Sequence, residues 1–333
     1  MVKIVHLIIF SFIIMLAQEA AASDFAHNIS SGGSDRSFFV HVPDTVKDAK
    51  NLPVVIVLHG GGGDAAGVRR QTGMDEIADK NGFIAVYPEG SGSPLSPGMR
   101  TWNADLCCGY AAHKKIDDVA FISTMIDFLV KTYAVDPRRI YATGHSNGAM
   151  MSYKLACALS GKIAAIAPNS GQRLGDDCHP KRPVAVLHIH GTKDPCAPYD
   201  GGAQCGGCFS AVLGFHLPND RWTCKPVRDV FRATAQMNGC KDVTNIVFTK
   251  GAVTCEAFDG CPAEAPVELC SIEGAGHVWA GAHGGEAKVC ADHPEGKACE
   301  TFRKTVGAPN ADIDSSQFMW DFFKDIRLPE KKT

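Results

Sequence analysis

Short, uninterrupted apolar runs recur along the chain with amphipathic stretches between them. Residues 53–59 (PVVIVLH), 83–87 (FIAVY), 140–143 (IYAT), 163–167 (IAAIA), 184–189 (VAVLHI) and 267–272 (VELCSI) lack the alternation of a half-solvated strand. Such runs predict strands covered on both faces, as in a parallel sheet. Residues 36–42 alternate weakly and predict an edge strand. Between residues 117 and 133, Val119, Ile122, Ile126, Phe128 and Leu129 fall largely on one helical face. Asp117 and Asp118 stand at the start of that helix, where the dipole favours negative charge. Residues 146–159, 227–237 and 316–326 predict further helices. Strands alternating with helices are βαβ units, so the expected class is α/β, with a mostly parallel central sheet flanked by helices.

One apolar run is different. Lys3 precedes residues 4–16, apolar apart from His6 and Ser11, and Ala20-Ala21-Ala22 supplies the small residues of a cleavage site. This is the layout of a secretory signal peptide over residues 1–22, too short in its apolar part to span a bilayer as a helix. The expectation is an exported protein, extracellular or periplasmic and unattached to the membrane after cleavage, with one catalytic domain over 23–333. Asn28-Ile29-Ser30 is a glycosylation sequon near the new N-terminus, where little order is expected.

Composition narrows the function. With 45% hydrophobic and 21% charged residues the chain is not a disordered polyelectrolyte. Its 33 basic residues against 36 acidic ones give no basic excess for nucleic acid, and none is expected as a partner. All 14 cysteines lie beyond residue 100, and an even number in an exported chain predicts disulfides. Cys205-x-x-Cys208, with Cys196 and Cys224 nearby, also has zinc-ligand spacing. The adjacent Cys107 and Cys108 are expected to bridge to different partners. Residues 196–224 are rich in Gly, Cys and Pro without periodicity, and predict a disulfide-pinned insertion beside the functional site.

The chemistry centres on Gly144-His145-Ser146-Asn147-Gly148, a G-x-S-x-G directly after one apolar run and opening a predicted helix. A turn this sharp lifts Ser146 Oγ out of the sheet beside a helix N-terminus. A serine hydroxyl needs a base. His277 lies in a glycine-rich loop after the run 267–272, at the strand end where sites form in such sheets. His283 is the runner-up, while His216 and His293 fall in loop or insertion sequence, and His188 and His190 fit a core or loop role. The acid that orients the base is expected between nucleophile and histidine. Asp194, after the run 184–189, fits; Asp176 and Asp177 are weaker rivals without a strand end before them. Two backbone N–H groups must receive the oxyanion: Asn147, and Gly61 in the loop His59-Gly60-Gly61-Gly62-Gly63, with Gly62 close behind. No Gly-Lys-Ser/Thr follows those glycines, which excludes a P-loop.

Taken in order, HGGGG at His59, YPEG at Tyr87, Trp102-Asn103 with Cys107-Cys108-Gly109, DDV at Asp117, GHSNGAM at Ser146, HGTKDP at Asp194 and GAGHVW at His277 give a specific pattern. With it the chain resembles the secreted α/β-hydrolase esterases grouped as polyhydroxybutyrate depolymerases and feruloyl esterases, over about residues 35–325. The resemblance implies the α/β-hydrolase fold and a catalytic triad of Ser146, Asp194 and His277. It also implies a Cys240–Cys261 bridge and substrate contact from Trp102 or Trp279, for which core packing is the competing role. The chain departs from the family pattern in a longer, more Cys-rich segment 205–224 and in Trp279-Ala280, where Trp-Pro is expected. The expected activity is hydrolysis of feruloyl or acetyl esters of plant cell-wall polysaccharide through an acyl-enzyme. It uses no metal or organic cofactor and gains rate with pH as the base loses its proton. Polyester depolymerisation is the alternative among esters. A serine peptidase on the same fold and a non-catalytic secreted binding protein are the alternatives outside them.

Overall fold

In strand β3, Leu52–Leu58, the side chains of Val54, Ile56 and Leu58 point into one apolar layer and those of Val55 and Val57 into another, as the two-residue period of a strand requires. Both layers are closed by helices, which is why all seven residues Leu52–Leu58 are buried. The structure, a computed structural model, describes residues 23–203, 205–206, 208, 223–281, 293 and 295–330. The expected signal segment, His216, His283 and most of the 196–224 insertion lie outside the described residues.

In chain order the strands are β1 Ser23–Ser31, β2 Ser34–Val42, β3, β4 Ile84–Pro88, β5 Ser91–Ser93, β6 Ser96–Thr101, β7 Val135–His145, β8 Ala165–Asn169, β9 Ala185–Gly191, β10 Thr244–Lys250, β11 Val253–Phe258 and β12 Val267–Ile272. Ten of them form one sheet in the order β1-β2-β4-β3-β7-β8-β9-β12-β11-β10. From β4 to β12 the pairings are parallel, and the flanks are antiparallel. The helices Asp118–Thr132 and Asn147–Ala158 cover one face through Phe121, Met125, Met151 and Leu155. Ala65–Thr72, Met74–Asn81 and Ser315–Phe323 cover the other through Val68, Met74, Met319 and Phe323. Among the described residues, no helix is long and apolar enough to cross a membrane.

Three expectations are corrected. Residues 36–42 are not an edge, because β1 pairs along the whole of β2. Residues 28–30 are ordered as part of that strand, held by its ladder of backbone hydrogen bonds, with Asn28 exposed. Cys107 and Cys108 pair with each other rather than with separate partners. Their segment closes on itself, with Ala104 N–H donating to the Cys107 carbonyl. The other described pairs are Cys157–Cys178, Cys196–Cys208, Cys205–Cys224, Cys240–Cys261 and Cys255–Cys270. The four cysteines around the insertion are therefore oxidised, and the zinc alternative loses its thiolates.

Candidate active site

β7 ends at His145 and a helix begins at Asn147, leaving Ser146 alone to make the turn. It does so at φ 57°, ψ −118°, a region that side chains rarely occupy. The turn is over-determined by its neighbours. A Cβ on Gly144 would lie 2.7 Å from the Leu58 carbonyl oxygen, and one on Gly148 would lie 2.7 Å from that of His59. Glycine at both positions thus lets helix and strand touch. The Ser146 N–H donates to the Asn169 carbonyl at 3.0 Å, which fixes the elbow to β8.

Asp194 sits three residues after β9, and His277 in the loop after β12. The two strands pair in parallel register, so both loops emerge at the same edge. There His277 Nδ1 meets Asp194 Oδ2 at 2.8 Å, with the carboxylate side chain fully buried. The other oxygen, Oδ1, accepts from the N–H groups of Cys196 and Ala197 at 2.7 and 2.8 Å. Burial alone would raise this carboxyl; the His277 charge and the imidazole hydrogen bonds outweigh it and hold it far below its ordinary value. An ionised Asp194 accepts at Nδ1, so the proton of neutral His277 sits there and Nε2 carries the lone pair.

The structure brings Asp194 and His277 into contact, and Ser146 beside them. The His145 ring lies 4.6 Å from that of His277, centroid to centroid. Asn169, whose carbonyl holds the Ser146 N–H, donates its side-chain amide to the Val278 carbonyl at 2.8 Å. Ser146 Oγ makes no hydrogen bond to His277 in this arrangement; such contacts often close only around substrate. Asp176 pairs with Lys225 and the exposed Asp177 with His179, away from His277.

The glycine loop is similarly constrained. Gly62 N–H donates to the Arg100 carbonyl at 2.7 Å and Gly63 N–H to the Gly60 carbonyl at 3.1 Å, so neither is free to receive an oxyanion. Gly61 N–H has no acceptor among the described residues. Asn147 is the first residue of its helix, so its N–H has no intrahelical partner. Sequence reasoning assigned no role to His59. Its Nδ1 meets the Gly60 carbonyl at 2.7 Å and its Nε2 accepts from Gly90 N–H at 3.0 Å. Burial lowers its pKa to about 4, and the neutral ring pins the glycine loop to the strand end beside it.

Trp102 and Trp279 are 0% and 1% exposed, which corrects the expectation of substrate contact. Trp102 Nε1–H donates to the His59 carbonyl at 2.9 Å, and Trp279 Nε1–H to Ser316 Oγ at 3.1 Å. Each indole is packed and satisfied, with no face left for a ligand. Asp194, Cys196 and His277 offer donor atoms within 4.8 Å of one another. Cys196 is tied to Cys208, and Asp194 and His277 to each other, so this group does not suit a metal.

Sheet order, the elbow after β7 and the loops after β9 and β12 define an α/β-hydrolase. An acetyl xylan esterase from Aspergillus awamori shares the fold, with a TM-score of 0.52 and 15% identity over 76% of this chain and 94% of that one. The profile described as Esterase PHB depolymerase matches residues 37–208, just over half the chain, and the chain belongs to that family. Among similar proteins, feruloyl esterase B of Piromyces equi is 31% identical over 73% of this chain and 42% of its own length. A bifunctional acetylxylan esterase/xylanase of Neocallimastix patriciarum is 33% identical over 61% of this chain and 28% of its own. The chain thus spans less than half the length of these two relatives. A probable feruloyl esterase C of Aspergillus niger is 27% identical over 73% of this chain and 82% of its own length.

Proposed function

We propose that the protein is an exported serine carboxylic-ester hydrolase with Ser146 as nucleophile, His277 as general base and Asp194 as the acid that orients it. The observation that carries this reading is the buried Asp194–His277 hydrogen bond at 2.8 Å beside a strained Ser146 elbow. His277 Nε2 takes the Ser146 hydroxyl proton as Oγ attacks the ester carbonyl. The oxyanion is received by the N–H groups of Gly61 and Asn147. The proton passes to the leaving alcohol, and water then hydrolyses the acyl-enzyme by the same steps in reverse order of partners. Every proton is carried by His277, and the triad itself supplies nucleophile, base and electrostatic support.

The substrate class we favour is feruloyl or acetyl groups on plant cell-wall polysaccharide, a polymeric or polymer-derived ester. Relatives named feruloyl esterase and acetylxylan esterase support it. Polyester depolymerisation is the second reading, favoured by the family description. Export is supported by the apolar run at residues 4–16 and by the disulfides. Hydrolysis of methyl ferulate, acetylated xylan and hydroxybutyrate oligomers by the purified protein tests the substrate class. Release from either of the first two supports it, release only from the third transfers the assignment to polyesters, and inactivity on all three overturns both.

A further inference from the structure

Behind Asp194 the core holds a row of polar side chains that the proposed reaction does not use. Tyr153 OH lies 2.9 Å from His188 Nδ1, and His188 Nε2 lies 2.8 Å from His190 Nδ1. His190 Nε2 lies 2.7 Å from the Ala197 carbonyl and 3.3 Å from Asp194 Oδ2. Tyr153, His188 and His190 are 3%, 1% and 0% exposed. Buried polar groups are costly unless satisfied, so the direction of every hydrogen bond in the row can be worked out.

The Ala197 carbonyl and the Asp194 carboxylate have no proton to give, so His190 Nε2 carries one. A neutral His190 then has a bare Nδ1, which must accept from His188 Nε2–H. His188 in turn has a bare Nδ1, which must accept from Tyr153 O–H. Burial pushes His188 well below its ordinary pKa, consistent with a neutral ring. The charged groups facing the row are Asp194 at one end and Arg173, whose field reaches Tyr153, at the other; His145 and His277 stand beyond Asp194.

We propose that Tyr153, His188 and His190 are positioning residues: a one-way hydrogen-bonded chain, its direction set by the Ala197 carbonyl and Asp194, that satisfies the bare nitrogen of each ring and holds His190 Nε2–H beside Asp194. The proposal rests on Asp194 being the acid that orients His277. With the chain intact, Asp194 receives two backbone N–H groups on Oδ1 and the His277 imidazole on Oδ2, with His190 Nε2 3.3 Å from the same oxygen. Reverse the chain and His190 presents a lone pair to the Ala197 carbonyl and the carboxylate. Repulsion then moves Oδ2 away from His277 Nδ1. The Ala197 carbonyl and Asp194 forbid that reversal; removing the Tyr153 hydroxyl leaves the buried His188 Nδ1 lone pair without a donor and so loosens the row at a site separated from Asp194 by two imidazole rings.

Nitrogen-15 NMR of the full-length protein labelled at histidine reads the tautomers directly in the resting enzyme. The proposal expects His188 and His190, assigned by single substitution, each protonated on Nε2 only. Protonation of His190 on Nδ1, or on both nitrogens at neutral pH, overturns it. Tyr153→Phe, which leaves His188 Nδ1 without its donor, should shift the His190 ring-nitrogen resonances and lower kcat about tenfold, with KM within about twofold. His190→Gln, which keeps an N–H donor, should retain more kcat than His190→Leu. A Tyr153→Phe protein that loses only thermal stability, with kcat and the His190 resonances unchanged, shows a purely structural role and overturns the proposal. Full activity in Asp194→Asn would instead overturn the acid assignment, whatever the tautomers show.

Discussion

The side chain of Asn147 grips the backbone of Trp102 at both ends: Trp102 N–H donates to Oδ1 at 2.7 Å, and Nδ2 donates to the Trp102 carbonyl at 3.1 Å. The residue proposed to offer a main-chain N–H to the oxyanion therefore also ties, through its side chain, the elbow to the segment that carries the fully buried indole. These two bonds hold the helix start against the loop beside it. Asn147→Ala keeps the main-chain N–H but leaves the buried Trp102 N–H without an acceptor. A stability loss of about 1–3 kcal/mol is expected from that orphaned group. A fall in kcat of about tenfold at unchanged KM is expected from the loosened elbow. Denaturant unfolding and steady-state kinetics on one ester check the two effects separately.

The start of the insertion holds the Asp194 carboxylate. Cys196 and Ala197 donate their N–H groups to Asp194, and Cys196 is bridged to Cys208. Replacing both cysteines by serine frees the segment that carries those donors. The expected result is a folded protein with kcat lowered about tenfold and stability lowered by about 2–4 kcal/mol. An unchanged kcat when Cys240 and Cys261 are replaced by serine in the same way would assign the effect to the Cys196–Cys208 bridge.

Acid stability should follow the buried imidazoles. His59 has a pKa lowered to about 4 by burial, and His145 and His188 are held below their ordinary value by the same cause. Between about pH 6.5 and 4 the unfolded chain binds protons at these sites and the folded chain does not. Stability therefore rises with pH through this window and is lost as pH falls. Asp194 works in a lower range: its folded pKa is depressed, so its contribution is complete above the ordinary carboxyl range and wanes below about pH 4. Thermal melts across pH 4 to 7 should show a steep descent toward acid. His59→Asn should flatten it; a wild-type curve with no slope in that window would contradict the buried neutral assignment.

The two buried tryptophans separate packing from recognition. Trp279→Phe removes the donor to Ser316 Oγ, and Trp102→Phe the donor to the His59 carbonyl. Both should lower the melting temperature and leave KM for a feruloyl ester within about twofold, because neither ring reaches solvent. A large rise in KM without loss of stability would restore the substrate-contact role.

What the chain disclosed in advance follows the strength of the physical signal. The run 267–272 and β12 coincide, and 53–59 and 184–189 differ from β3 and β9 by a residue or two at the ends, because burial over most of each strand leaves few polar positions to blur them. Residues 244–258 were silent: Ile246 and Val247 are 66% and 53% exposed at the sheet edge, so no periodicity marks the β10–β11 hairpin. That Asp194 and His277 lie at one sheet edge was legible because each follows an apolar run at a strand end. The tryptophans misled because a large aromatic in a glycine-rich segment reads the same whether it packs or stacks on a ligand. The choice of Gly61 over Gly62 needed coordinates, since it depends on which N–H the Arg100 carbonyl already holds. His188 and His190 fitted a core role, and only their distances reveal the chain that links Tyr153 to Asp194.

The central claim is that Ser146 is a nucleophile activated by His277. Treatment with a fluorophosphonate probe, followed by peptide mass analysis, tests it most directly. The account predicts a single adduct on the peptide containing Ser146, lost in Ser146→Ala and strongly slowed in His277→Ala. An adduct on another residue, or none on the folded wild-type protein, would contradict it.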